Sequence, residues 1–137
     1  MELDFFKAEH VALIDLCGTL LDTLQGPPDY LAASMMQQKI NRLLVSHLAK
    51  EDEHLYPALK RDPRTAATAT RFEQELGGLA TVWRGFMRDW PQDRIARDWG
   101  GFGAETRQVL AALAERARRE EEELYPLLAD KSWPDAA

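Results

Sequence analysis

Apolar residues recur along most of this chain at alternating intervals of four and three positions, the spacing that places side chains on one face of a helix. Four segments carry such a series. The first two are Phe6, His10, Leu13, Cys17, Leu20, Leu24 and Met36, Ile40, Leu44, His47, Glu51, His54, Ala58. The last two are Phe72, Leu76, Leu79, Trp83, Phe86, Trp90 and Phe102, Thr106, Val109, Leu113, Arg116, Glu120, Glu123, Leu127. The pattern predicts four amphipathic helices that share one core.

Glycine and proline separate these segments at residues 26–28, 62–63 and 90–103. Asp29 and Asp62 stand where helix N-caps are expected, and Asp62 directly precedes a proline. The last separating stretch admits three interpretations, a loop, a short helix or the first turns of the last helix, because its glycines weaken helical propensity. Short connections favour antiparallel neighbours.

The two halves of the chain also resemble each other. Residues 47–57 align with residues 116–126, and both stretches end in Leu-Tyr-Pro after an acidic run. This repeat predicts two helical hairpins related by a pseudo-twofold axis. We therefore predict an all-α fold, an antiparallel up-down-up-down four-helix bundle over residues 1–130, with a C-terminal tail over residues 131–137.

Ionisable residues interrupt the apolar series at several points where a buried, unpaired charge would be costly. In an antiparallel arrangement, the early part of the first helix lies beside the late parts of the second and fourth. A histidine and a glutamate four residues apart share one helical face, so their side chains can address a single point. We predict a metal site with the ligands His10, His47, Glu51 and Glu120. The residues predicted to orient these ligands, or to replace them, are His54, Arg116 and Glu123.

Two imidazoles and two carboxylates suit iron, with zinc and manganese as alternatives. A metal-free interpretation is also open, in which the guanidinium of Arg116 bridges Glu51 and Glu120 in place of a cation. In a mixed interpretation, Arg116 fills one half of the site while one ion occupies the half that keeps its histidines. The sequence thus predicts one metal ion per chain, or none.

Three stretches match the motifs of a known family: Glu9-His10, then His47 and Glu51 ahead of Leu55-Tyr56-Pro57, and finally Glu120 ahead of Leu124-Tyr125-Pro126. Through them the chain resembles the hemerythrin-like, or HHE cation-binding, family over essentially its whole length. The resemblance implies a four-helix bundle with a non-haem di-iron centre that binds, stores or senses oxygen. Leu76 and Arg116 stand where that family has histidines, so the resemblance implies a degenerate second half with one iron position lacking ligands.

Composition narrows the classes of partner. The chain has 137 residues and a formal net charge of -6, which disfavours binding to nucleic acid. Its apolar runs are too short for a membrane span, its start lacks the features of a secretory signal, and we expect a cytoplasmic protein. Cys17 is the single cysteine, which excludes an internal disulfide, and we expect it to be a small apolar core residue.

Three classes of function remain. The first is a metal- or oxygen-linked binding or sensing protein with a mononuclear or vestigial site, whose partner is dioxygen or another small ligand. The second is a metal-free interaction or regulatory module that binds a protein partner, with Arg116 neutralising the remaining carboxylates. The third is an enzyme that activates oxygen or peroxide, although no feature of the sequence identifies a substrate.

Overall fold

The computed structural model of the protein describes residues 3–129, and these contain helices and no strand. The predicted all-α class is therefore confirmed. The α-helices are α1 Leu3–Gln25, α2 Tyr30–Lys50, α3 Tyr56–Arg61, α4 Ala66–Leu76, α5 Leu79–Asp89, α6 Gln92–Arg97, α7 Trp99–Arg119 and α8 Pro126–Ala129. Within the described part of the chain, no helix is long and apolar enough to cross a bilayer. The predicted tail at residues 131–137 lies outside the described residues.

Capping side chains explain where several helices begin. Asp29 caps α2 as predicted, since its Oδ1 accepts a hydrogen bond from the Ala32 amide at 3.1 Å. Asp62 ends α3 and makes the hydrogen bonds of an N-cap, since its Oδ1 accepts from the Arg64 amide at 2.9 Å and its carbonyl accepts from the Ala66 amide at 2.9 Å. The turn that it caps precedes the third long segment, because α4 begins only at Ala66.

The connection before the last long helix combines two of the three interpretations. It contains the short helix α6, and α7 then begins at Trp99 in spite of the glycines that follow. Asp98 compensates for these glycines by capping α7, accepting a hydrogen bond from the Gly101 amide at 2.9 Å. A Cβ at Gly101 would lie 2.3 Å from the Asp98 carboxylate, so glycine is what allows this cap.

Two clusters of buried apolar side chains stabilise the fold, and a polar layer lies between them. On α1, Phe6 belongs to one cluster and Leu13 to the other, with His10 in between. On α7 and its extension, Leu113 and Leu124 belong to different clusters in the same way. Because apolar packing above and below excludes water from this layer, its ionisable side chains must satisfy one another.

Two π-helical turns continue the long helices beyond the polar layer. The turn Glu51–Leu55 joins α2 to α3, and the turn Glu120–Leu124 continues α7 toward α8. In each turn a tyrosine amide bonds to the carbonyl five residues earlier, as Tyr125 does to Glu120 at 2.7 Å. A proline follows each of these tyrosines, and its ring would clash with the carbonyl four residues back in a regular α-helix. The widened turn relieves that clash.

Candidate metal centre

The polar layer brings together the four residues predicted to bind a metal. His10 comes from α1, His47 from the last turn of α2, and Glu51 and Glu120 from the starts of the two π-helical turns. One ligand atom from each residue lies within 4.8 Å of every other. All four side chains are buried, with at most 3% of any of these residues exposed.

Hydrogen bonds at the outer nitrogens orient both imidazoles. Nδ1 of His47 lies 2.8 Å from Oε1 of Glu9, and Nδ1 of His10 lies 2.7 Å from Oε2 of Glu121. An ionised carboxylate only accepts hydrogen bonds, so each Nδ1 carries the proton and donates it. The Nε2 lone pairs of the two rings then face each other across 3.1 Å. Two lone pairs at this distance repel each other, and a proton or a metal ion between them removes that repulsion.

The electrostatic field around the histidines favours that cation. Burial by itself lowers the pKa of His10, but the hydrogen bond and charge of Glu120, together with Glu121, raise the pKa above its ordinary value. Burial likewise opposes the charged form of His47, yet Glu51 and Glu9 raise its pKa overall. The layer therefore stabilises positive charge at the point where the two Nε2 atoms meet.

The spacing of the inner atoms matches that of ligands around one ion. Two donors bonded at about 2.1 Å lie about 3.0 Å apart at right angles and about 3.4 Å apart at tetrahedral angles. Here Nε2 of His10 lies 3.1 Å from Oε1 of Glu120, and Nε2 of His47 lies 3.4 Å from Oε2 of Glu51. The donor set thus fits a single iron, zinc or manganese ion.

Arg116 takes up the outward-facing carboxylate oxygens of the same glutamates. Its guanidinium donates to Oε1 of Glu51 at 3.0 Å, to Oε2 of Glu120 at 3.3 Å and to the carbonyl of Leu76 at 3.2 Å. Arg116 and Leu76 stand at the two positions where the sequence resemblance implies histidines. The guanidinium of Arg116 extends to the carbonyl of Leu76. A fixed cation therefore stands in this half of the site.

The two buried glutamates share that charge unequally. Burial would raise the pKa of Glu51, but the hydrogen bond from His47 and the charges of His47 and Arg116 hold it at about 2. The pKa of Glu120 is raised, because burial and the neighbouring negative charge of Glu51 outweigh its contacts with His10 and Arg116. The surroundings thus favour the ionised form of Glu51 and disfavour that of Glu120.

Two tyrosines complete the layer, each donating to the glutamate of the opposite half. The Tyr56 hydroxyl donates to Oε2 of Glu120 at 3.2 Å, and the Tyr125 hydroxyl donates to Oε2 of Glu51 at 3.0 Å. Burial and the glutamate charges raise the pKa of both phenols. Both hydroxyls therefore keep their protons and act as donors in the metal-free protein.

His54 and Glu123 do not join this cluster. His54 is exposed and its nearest acidic partner is Glu53, at 3.6 Å, while the carboxylate of Glu123 pairs with Arg119 on the surface. The widened turns are the reason, because they rotate the third residue after each buried glutamate outward. The fourth residues, Leu55 and Leu124, are fully buried instead.

Four residues that hydrogen-bond to the candidate ligands had no role assigned from the sequence: Glu9, Glu121, Tyr56 and Tyr125. The Leu-Tyr-Pro repeat contains both tyrosines, so it was an available signal for them. Glu121 lies outside the apolar series of the last segment, and its side chain is 41% exposed although it orients His10. Only the packing of α1 against the π-helical turn Glu120–Leu124 reveals that contact.

A small cavity of about 10 Å³ adjoins the polar layer, on the order of one water-sized probe. His10, His47, Arg116 and Glu120 form its polar side. Its remaining walls are apolar and consist of Leu13, Leu44, Leu48, Leu79, Leu113 and Ala117. This space therefore accommodates about one molecule of the size of water.

Comparison with known proteins gives one match. The sequence model of the hemerythrin HHE cation-binding domain matches residues 1–128. Neither the curated proteins nor the solved structures contain a match. The match covers nearly the whole chain, including every residue of the polar layer.

Proposed function

Because this chain belongs to the hemerythrin HHE cation-binding family, we propose that it binds one non-haem metal ion and acts as a metal- or oxygen-linked binding or sensing protein. The ion is iron, with zinc and manganese as alternatives. His10, His47, Glu51 and Glu120 would hold it. When bound, the ion supplies a Lewis-acidic centre, which in the case of iron is also redox-active, for a small ligand such as dioxygen.

The contact between the two Nε2 atoms carries this proposal. At 3.1 Å, and with both Nδ1 protons committed to carboxylates, the imidazoles are oriented as metal-bound histidines are. Glu9 is itself held by Lys50, whose Nζ donates to Oε2 at 3.0 Å. This support fixes the tautomer of His47 before any ion arrives, which lowers the cost of binding.

We propose one ion per chain because the half of the site that contains Arg116 lacks the donors for a second ion. A second ion would need donors where Arg116 and Leu76 now stand, and the guanidinium already occupies the outward oxygens of both glutamates. Arg116 carries one fixed positive charge. Burial by itself lowers the pKa of its guanidinium, but the negative charges of Glu120 and Glu51 raise that pKa overall. The guanidinium therefore supplies one positive charge where a second ion would supply at least two, and it offers no open coordination position.

The architecture that accompanies this function is a four-helix bundle in up-down-up-down order, with residues 1–130 as its domain. In support, His10 near the start of α1 contacts His47 near the end of α2, as antiparallel helices require. The crossed tyrosine–glutamate bonds between Tyr56 and Glu120, and between Tyr125 and Glu51, fit a pseudo-twofold relation between the hairpins.

Elemental analysis of protein purified without a chelator or affinity-tag nickel tests the proposal. We expect about one ion per chain in the wild type, and loss of that ion in His10→Ala and in His47→Ala. His54→Ala is the matched control, because it removes the remaining histidine from an exposed position. Metal-free wild type, or equal metal content in all three variants, would refute the proposal.

The alternative function is a metal-free interaction module, and the contacts of Arg116 favour it. In that case a proton lies between His10 and His47, while Arg116 neutralises the glutamates. The same analysis separates the two functions, since a wild-type protein that stays metal-free after incubation with ferrous iron, zinc and manganese would support the module.

A further inference from the structure

Of the two tyrosines in the polar layer, Tyr125 lies among the inner atoms. Its hydroxyl oxygen is 3.0 Å from Oε2 of Glu51 and 3.4 Å from Nε2 of His10. These separations are within about 0.1 Å of the 3.1 and 3.4 Å between the histidine and glutamate donors themselves. The phenol oxygen therefore stands where a further ligand of the same ion would stand.

Tyr56 has a different position although its motif is the same. Its hydroxyl contacts Oε2 of Glu120, the oxygen that also accepts from Arg116, whereas Oε1 is the oxygen that faces His10. Tyr56 thus lies on the outer side of its glutamate, next to the guanidinium. The pseudo-symmetry of the two halves is broken at this point by the same arginine that replaces a histidine.

The ring of Tyr125 is held firmly in place. Only 1% of the residue is exposed, and the ring stacks on that of His10 with centroids 5.6 Å apart and planes 11° from parallel. Phe6 packs against the same ring, with centroids 6.2 Å apart. A donor in such a fixed position needs little rearrangement to reach an ion.

We propose that Tyr125 is a fifth ligand of the metal ion, through its phenol oxygen. This inference rests on the proposed function, because it requires an ion between His10, His47, Glu51 and Glu120. Binding of the oxygen to the ion releases the phenolic proton to solvent and changes no oxidation state. Two nitrogens and three oxygens, one of them a phenolate, favour ferric over ferrous iron and disfavour the four-coordinate geometry usual for zinc.

Visible spectroscopy of the iron-loaded protein tests this assignment. Wild type, Tyr125→Phe and Tyr56→Phe would be loaded with ferrous iron in air, and their iron content measured. A phenolate bound to ferric iron produces a visible charge-transfer band with enhanced ring vibrations in resonance Raman spectra. We expect the band in the wild type and in Tyr56→Phe, and its loss in Tyr125→Phe together with a higher ferric/ferrous potential.

The outcomes separate this inference from the proposed function. About one iron per chain without a phenolate band in the wild type, or with the band retained in Tyr125→Phe, overturns the assignment and leaves the metal site standing. Absence of bound iron from the wild type overturns both. If Tyr125→Phe fails to fold, ring-deuterated Tyr56→Phe replaces it. A Raman band that does not shift on deuteration, or is absent, then overturns the assignment, since exposed Tyr30 is the only other tyrosine.

Discussion

Replacing Arg116 by methionine should destabilise the metal-free protein strongly. Methionine keeps much of the length of the side chain but removes the three hydrogen bonds that the guanidinium donates to Glu51, Glu120 and the Leu76 carbonyl. Two buried carboxylates then face each other without their fixed cation. Removing one partner of a buried charge pair costs about 3–5 kcal/mol. With a urea m-value of about 2 kcal/mol/M, the unfolding midpoint should fall by about 2 M.

Equilibrium unfolding in urea with a chelator present, followed by circular dichroism, measures this change. Arg118→Met is the matched control, because Arg118 pairs with Glu115 and Glu122 on the surface, and we expect no measurable shift. Added metal should restore more stability to Arg116→Met than to the wild type, since the ion supplies the missing positive charge. If Arg116→Met unfolded at the wild-type midpoint in chelator, Arg116 would not be the compensating cation of this layer.

Three further predictions concern a hydrogen bond of the site and the two apolar clusters. Glu9→Gln should lower metal affinity about 10–100-fold in chelator competition because it weakens the orientation of the α2 histidine, whereas exposed Glu53→Gln should leave affinity unchanged. Burial raises the pKa of Cys17 to about 11, so its thiol should resist alkylation at pH 8 until the protein is unfolded; rapid labelling of native protein would contradict this. Leu55→Ala should cost about 2–5 kcal/mol in urea unfolding, and a loss no greater than that of exposed Val11→Ala would show that the π-helical turn does not bury this leucine.

Much of the fold could be predicted from the sequence because helical periodicity is a local property. Every residue of the predicted series on α1 is buried, from Phe6 to Leu24. The first and fourth series predicted correctly that His10 and Glu120 interrupt apolar faces. The antiparallel order of the helices then placed both residues at the same level along the bundle. The prediction was displaced at Asp62, whose N-cap hydrogen bonds hold a separate turn, so that α4 begins only at Ala66.

The geometry of the site could be predicted only in part. Helical spacing identifies which side chains share a face, and it correctly grouped His10, His47, Glu51 and Glu120. It assumes a constant number of residues per turn, however. That assumption fails after each buried glutamate, so the spacing also included His54 and Glu123.

The sequence by itself thus determined the helices, their buried faces and the identity of the four clustered residues. The tertiary structure alone decided which atoms meet. Glu9 and Glu121 fix the outer nitrogens of the histidines, so that both Nε2 atoms face inward, and these contacts join residues 38 and 111 positions apart. Separations of that size follow from how whole helices pack, which no local pattern encodes. The widened turns combine both contributions, because Pro57 and Pro126 disfavour a regular α-helical turn and the packing of the core then buries Leu55 and Leu124.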